Sequence, residues 1–303
     1  MNADRQSGHS LTELLVAMAV LSLVMAATAG AFTATLRLSQ SQPRRFDLQQ
    51  QARVALDLIA RDVKGAGAGP NLLGSEGLLF DRIPAVWPRK LGRGGDAPES
   101  ASEGALTTIT VPESDAQARS LAPVEAGSRS LALASARHCG ATSSVCGFRR
   151  GTTVLVTGPF GLPAGLHLMS TERVDAQTLE VEPVAMAALG IAGGAAVAEV
   201  VIRGYEFDST AGRLLYFDGE STRQTLIEDV AGFRVRYFDR EEELLPAVLS
   251  DGPWEGAGDT RFDRDVLRIQ RVRIELTLAS GRDHFASVLD VAPRNLRRGG
   301  GTF

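Results

Sequence analysis

The stretch that decides the fold is SGHSLTELLVAMAVLSLVMAATAGAF, Ser7 to Phe32. It overlaps an uncharged run from Leu14 to Leu36, which has 23 positions and is rich in Ala, Leu, Val and Met. A helix rises about 1.5 Å per residue, so this run spans about 35 Å, enough to cross a hydrocarbon core of about 30 Å. We therefore predict a membrane-spanning helix over residues 14–36, with a carboxylate, Glu13, at its start.

Two ordinary kinds of N-terminal segment fit this run less well. A cleaved secretory signal has a basic leader and a shorter apolar core, whereas here Asp4 offsets Arg5, although Ala26–Ala31 does offer a small-residue cleavage site. A plain signal anchor explains the length but leaves Glu13 unexplained. An unpaired carboxylate costs about 2.5–3.5 kcal/mol at the centre of a membrane helix and somewhat less near its end.

The residues GHSLTELL, Gly8 to Leu15, closely resemble the signal of type IV prepilins. The resemblance implies that a prepilin peptidase cleaves between Gly8 and His9 on the cytoplasmic side, that His9 is N-methylated, and that the apolar helix is retained. Glu13 is then the fifth mature residue, where the family has a glutamate that acts in subunit assembly. Its carboxylate can compensate the α-amine of a neighbouring subunit, and such a pair is strong at low dielectric constant. The chain departs from the family at His9, where Phe is usual, and at Thr12, where Ile or Val is usual.

A second helical segment, amphipathic, is predicted over residues 44–64. Pro43 is expected to kink or interrupt the helix before it. The apolar residues of this segment recur with helical spacing and define one face: Leu48, Ala52, Ala55, Leu56, Ile59 and Val63. GAGAG, residues 65–69, and Pro70 are expected to end the helix. A phosphate-binding loop is rejected because GAGAG follows a helix and opens none.

The remainder of the chain shows the period-two alternation of β-strands. Strands are predicted in ALTTITVP, TTVLVTG, HLMSTERV, TLEVEP, AAVAEVVIRGYEFD, RLLYFD, FRVRYFD, VLRIQRVRIELTLAS and HFASVLDV, with loops at 84–104 and 250–264. In RVRIELTL, apolar and mainly polar residues alternate, which is typical of an antiparallel sheet with one buried face. We therefore predict an α+β fold: a leader (1–8), a long N-terminal helix (9–64) that spans the membrane, and a β-rich antiparallel globular domain (65–303).

This layout resembles the pilin superfamily, and three stretches resemble PilW-type minor pilins. They are QQQARVALDLIARDVKGAGAG (Gln49 to Gly69), LIEDVAGFRVRYFD (Leu226 to Asp239) and VRIELTL. The resemblance implies a minor pilin that takes part in pilus assembly or initiation and contacts other minor and major pilins through its N-terminal helix. It also implies an anchor in the inner membrane and a C-terminal domain in the periplasm. Alternatives are a pseudopilin related to the J component of type II secretion and a membrane-anchored periplasmic enzyme.

Two cysteines, Cys139 and Cys146, lie close together in CGATSSVCG with six residues between them. This spacing fits a small disulfide loop in an oxidising compartment. Free thiols are an alternative. A zinc site would need two further ligands, which His138 alone does not supply.

Composition and motifs argue for a structural protein. The chain is 44% hydrophobic and 22% charged, as expected for a folded protein, and its net charge of −4 gives no electrostatic case for nucleic acid. The histidines, His9, His138, His167 and His284, lack a metal-binding spacing, and no nucleophile elbow or P-loop is present. In DTRFDRD, Asp259 to Asp265, arginines lie among the acidic residues, which favours a solvated loop over a calcium site. We predict no catalytic residue, no cofactor and no metal.

Overall fold

The computed structural model describes residues 10–68, 84–92, 95–111, 116–125, 128–134, 145, 147–157, 166–175, 177–183, 194–219, 223–240, 242–255 and 260–294. The helices and strands are α1 (Leu11–Gly65), β1 (Val86–Trp87), β2 (Ala105–Thr110), β3 (Gln117–Arg119), β4 (Ser130–Ala132), β5 (Thr153–Thr157), β6 (Leu166–Val174), β7 (Thr178–Pro183), β8 (Ala196–Asp208), β9 (Arg213–Phe217), β10 (Arg223–Ile227), β11 (Val230–Phe238), β12 (Glu243–Leu244), β13 (Trp254–Glu255), β14 (Phe262–Asp263), a 3-10 helix (Arg264–Arg268), β15 (Arg271–Ser280) and β16 (Asp283–Val291). The predicted fold class, an N-terminal apolar helix followed by an antiparallel β-rich domain, is confirmed.

The apolar half of α1 stands clear of the rest of the chain. The segment Leu11–Thr33 is long and apolar enough to cross a membrane, and none of it is buried. Ser22, Thr28, Thr33 and Thr35 each donate their hydroxyl hydrogen to a carbonyl oxygen of the preceding turn, at distances of 2.5 to 2.9 Å. These four hydroxyls therefore present no unsatisfied donor to lipid, as a membrane helix requires.

The helix is continuous through Pro43, so of the two expected effects, a kink or an interruption, the interruption is wrong. Proline removes one amide donor and crowds the preceding turn, but a long helix can absorb this locally when the residues on both sides favour helix. The N-terminal apolar segment and the amphipathic segment are consequently parts of one element of 55 residues.

The second half of α1 belongs to the core of the globular domain. All six residues of the predicted apolar face, Leu48 through Val63, are buried, whereas the charged residues Arg53, Asp57 and Arg61 are exposed. The helix ends at Gly65 as expected. Beyond it, Gly67 N donates to Ile109 O at 2.9 Å, which ties the end of the helix to β2.

Helix α1 lies on a four-stranded antiparallel sheet with the order β12-β11-β15-β16. At the beginning of β16, Arg45 Nε lies 3.0 Å from Asp283 Oδ1. Beyond the end of β16, Arg294 N donates to Lys64 O at 3.1 Å. The helix therefore runs parallel to β16, and the buried alternate residues of β15 face it, as the sequence pattern predicts.

A larger antiparallel sheet of ten strands follows the path β1-β2-β8-β5-β6-β7-β4, with β3 and β9 also paired to β8 and β10 paired to β9. Strand β8, which has 13 residues, is its central member. Buried side chains of β8 contribute to all three apolar clusters of the described chain, including the one around α1. The part VLRIQ, predicted as the start of β15, lies mainly in the 3-10 helix and the turn after it. The short strands β3, β4, β10 and β12 were not predicted, and β1, β13 and β14 lie within the segments predicted as loops.

A buried carboxylate joins α1 to β8. Asp62 Oδ1 accepts a hydrogen bond from Arg203 Nη1 at 2.6 Å, and Asp62 Oδ2 accepts one from the Tyr205 hydroxyl at 2.5 Å. The Asp62 side chain is only 5% exposed, so these two donors stand in for water. Burial and the hydrogen bond to Asp62 raise the pKa of Tyr205, so its phenol stays protonated and donates.

The Asp62 bonds should contribute measurably to stability. We expect Asp62→Asn to lower the free energy of unfolding by about 2 kcal/mol, because a charged hydrogen bond contributes about 1.5–3 kcal/mol and Arg203 can still reach water. Urea unfolding of the full chain in detergent, followed by tryptophan fluorescence, measures the change. The matched variant Asp57→Asn, on the exposed face of the same helix, should stay within about 0.5 kcal/mol of wild type. Equal losses for both variants would contradict a special role for Asp62.

Candidate functional site

The start of α1 holds Glu13 in a defined position. Ser10 is the residue before the first helical turn, with extended backbone angles of φ −71° and ψ 143°. Its amide N donates to Glu13 Oε2 at 3.1 Å, so the carboxylate folds back over the first turn. The Ser10 and Thr12 hydroxyl oxygens lie 2.7 Å apart and share a hydrogen bond. A negative side chain here is favourable because the N-terminal end of a helix carries partial positive charge.

The surface that follows Glu13 is apolar on all sides. Its large exposed side chains are Leu14, Leu15, Val16, Met18, Val20, Leu21, Leu23, Val24, Met25 and Phe32, and Leu11 adds one before Glu13. A surface of this kind is stable only against lipid or against other apolar helices. The segment is thus long and apolar enough to cross a membrane, and its first turn carries a carboxylate.

The N-terminal residues match a family model described as the prokaryotic N-terminal methylation motif, over residues 4–29. The match includes both Gly8 and Glu13. The N-terminal segment is thus similar to the N-terminal segments of type IV prepilins.

A curated relative points the same way. Over 61 residues, 20% of this chain and 26% of the relative, the sequence is 36% identical to a pilin-like protein, PilA3, of Thermus thermophilus. The chain therefore matches about a quarter of the length of that relative. No solved structure matches the chain significantly.

The methylation motif covers residues 4–29 and therefore describes the N-terminal segment. Together with the exposed apolar helix, it indicates membrane anchoring.

Several residues predicted from the sequence lie outside the described part of the chain. They are Gly8 and His9 at the expected cleavage site and Cys139 and Cys146 of the expected disulfide. The residues beside Cys146 are described: Val145 is buried, and a Cβ at Gly147 would lie 3.2 Å from the Ala116 Cβ. Of the histidine side chains, only that of His284 is described, and it is exposed on β16.

In the described part of the acidic loop, one carboxylate is not solvated as expected. Asp263 is buried, and its carboxylate accepts hydrogen bonds from Gly252 N at 2.5 Å and Asp265 N at 2.8 Å. Carboxylate oxygens of Asp251, Asp263 and Asp265 lie within 4.8 Å of one another. Asp263 caps the 3-10 helix and Arg268 pairs with Asp265 at 3.0 Å, so these contacts give the cluster a structural role.

Two buried carboxylates, Asp62 and Glu199, were not singled out from the sequence. Glu199 is 2% exposed and lies in β8 among apolar neighbours. The signal was present in AAVAEVVI, where one carboxylate interrupts an apolar strand. A charge at such a position marks a site that must find a partner.

Proposed function

We propose that this chain is a PilW-type minor pilin that takes part in assembly or initiation of a type IV pilus. The observation that carries the proposal is the exposed apolar helix that begins with Glu13 inside a prepilin methylation motif. The large β-rich domain at the other end of α1 supports a subunit that contacts unlike neighbours. A pseudopilin of type II secretion has the same general layout and is the second candidate.

Glu13 would act by compensating charge during assembly. Cleavage after Gly8 would place an α-amine on His9, next to the apolar core of the membrane. In the isolated chain the Glu13 carboxylate accepts a hydrogen bond from the Ser10 amide at 3.1 Å. Ser10 is the residue directly after His9, which would carry the amine. A carboxylate has about four lone-pair positions, so it can keep this bond and also pair with the amine of a neighbouring subunit. The pair would fix the register of packed helices.

The orientation of the anchor is also a proposal. Basic residues are more frequent after the apolar run, at Arg37, Arg44 and Arg45, than before it, where Arg5 is the single one. Counted alone, this distribution favours a cytoplasmic C-terminal side. We place the β-rich domain in the periplasm nevertheless, because a prepilin leader is read by its peptidase on the cytoplasmic side. The cysteine pair also suits an oxidising compartment.

Processing is the direct test of the leader. We expect the mature chain to begin at His9, with Met1–Gly8 removed and the new amine methylated. Intact-mass measurement and N-terminal sequencing of protein extracted from membranes test this expectation. Cells that lack the prepilin peptidase should retain Met1. A mature terminus near Gly30 would instead identify a secretory signal.

Replacement of Glu13 by Gln should separate its charge from its capping role. Gln keeps an oxygen that can accept from Ser10 N, so the helix should start normally. Insertion and cleavage should persist, but incorporation into sheared filaments should fall sharply because a neighbouring amine is left uncompensated. Glu13→Asp, which keeps the charge, is the matched control and should recover part of the incorporation. Wild-type incorporation of Glu13→Gln would reject the pairing role.

The cysteines test both pairing and orientation. We expect a membrane-impermeant maleimide to leave Cys139 and Cys146 of intact spheroplasts unlabelled until an impermeant reductant is added. The disulfide should contribute about 2–3 kcal/mol, since it closes a short loop. In Cys139→Ser, Cys146 should react without reductant. Labelling of the wild type without reductant would mean free thiols, and labelling only after lysis would place the domain in the cytoplasm.

A further inference from the structure

One edge of β8 has a gap in its strand pairing. On that edge β5 pairs with Ala196–Val200 and β9 pairs with Gly204–Asp208. Within the described chain, no strand pairs there with residues 201–203, which lie between the two. The gap opens into a cavity of about 310 Å³. Its polar lining is Arg149, Thr152, Thr153, Glu199 and Asp218.

Glu199 lines this cavity, and its carboxylate has no hydrogen-bond donor. Both of its oxygens are buried, and neither accepts a hydrogen bond in the structure. Its position in the sheet is opposite Val154, next to a cluster of apolar side chains that contains Val154 and Val197. A buried carboxylate in such surroundings is strongly unfavourable unless donors are supplied from elsewhere.

Arg149 does not supply those donors. Its Nε lies 3.7 Å from Glu199 Oε1, which is longer than a hydrogen bond, and its side chain is 70% exposed. Solvent therefore screens the attraction between the two charges. Asp218, exposed at the rim of the cavity, adds a second carboxylate to its lining.

We propose that this cavity binds the guanidinium group of an arginine side chain from a neighbouring polypeptide. A guanidinium is a planar monocation with five N–H donors, and it can pair with both oxygens of one carboxylate. The Thr152 hydroxyl donates to Arg149 O at 2.7 Å, which leaves its oxygen able to accept from the ligand. A calcium ion fits less well, since it requires about six to eight oxygen ligands and would lie beside Arg149.

The inference rests on the proposed function only for the source of the arginine, a subunit packed against the β-rich domain. The chemistry of the cavity does not depend on pilus assembly. Binding is therefore measured on the isolated full chain, separately from incorporation into filaments, and either result can fail without the other.

The test uses Nα-acetyl-arginine amide as probe and its neutral isostere, Nα-acetyl-citrulline amide, with the full chain in detergent micelles. Ligand-observed NMR titration should show saturable binding of the arginine probe and at least tenfold weaker binding of the citrulline probe. Glu199→Gln should weaken binding of the arginine probe at least tenfold. Asp218→Asn, at the exposed rim, should weaken it less. Glu228→Gln, which removes an exposed charge beyond β10, should leave it unchanged.

Thermal unfolding of each variant shows whether it is folded, and Asp218→Asn keeps the test valid if Glu199→Gln does not fold. Equal binding of the arginine and citrulline probes would overturn the proposal, as would no binding of either. Binding of calcium alone, lost in Glu199→Gln, would also overturn it and would make the cavity a metal site.

Discussion

The carboxylate of Asp62 and its two donors, Arg203 and Tyr205, form the contact on which the arrangement of the molecule depends. Asp62 lies near the end of α1, and both donors lie in β8. Since β8 also contributes to the clusters on the far side of the domain, this contact relates the direction of the helix to the whole β-rich region. Apolar packing alone would allow the helix to slide or rotate along the sheet, whereas two hydrogen bonds to a buried charge have one geometry.

Helix α1 has to satisfy two different surroundings. Its first half has no polar face, so only lipid or other apolar helices can cover it. Its second half has one apolar face, which the four-stranded sheet covers, and one charged face, which water covers. Because the helix is continuous through Pro43, displacement of one half is transmitted to the other. The exposed anchor is thus mechanically coupled to the β-rich domain.

Much of this architecture could be predicted because local patterns and tertiary packing agree. The spacing of Leu48 to Val63 specified the buried face of α1, and the alternation in RVRIELTL specified the buried face of β15. Pro43 was misjudged because its local cost is small beside the stability of a helix that continues on both sides. VLRIQ has the composition of a strand, yet Asp263 caps a 3-10 helix there through a bond that depends on the tertiary fold.

The candidate sites also divide into those set by local sequence and those set by tertiary contacts. The place of Glu13 at the start of the helix could be predicted because its position relative to Gly8 and the apolar run is a local feature. Asp62 and Glu199 were not, because a carboxylate within an amphipathic helix or an apolar strand does not reveal whether a donor faces it. For Asp62 the donors come from residues more than 140 positions away, with separations of 141 and 143. Only the folded chain brings them together.

The parallel course of α1 and β16 has a consequence for self-association. Strand β16 is nine residues long and forms one edge of its sheet, and within the described chain it pairs only with β15. A free edge of this length normally invites antiparallel pairing with a second copy. Such a dimer would reverse one chain relative to the other, so the two anchors would point in opposite directions. Two copies inserted in one membrane with the same polarity cannot adopt it, and the anchor thereby protects an otherwise aggregation-prone edge.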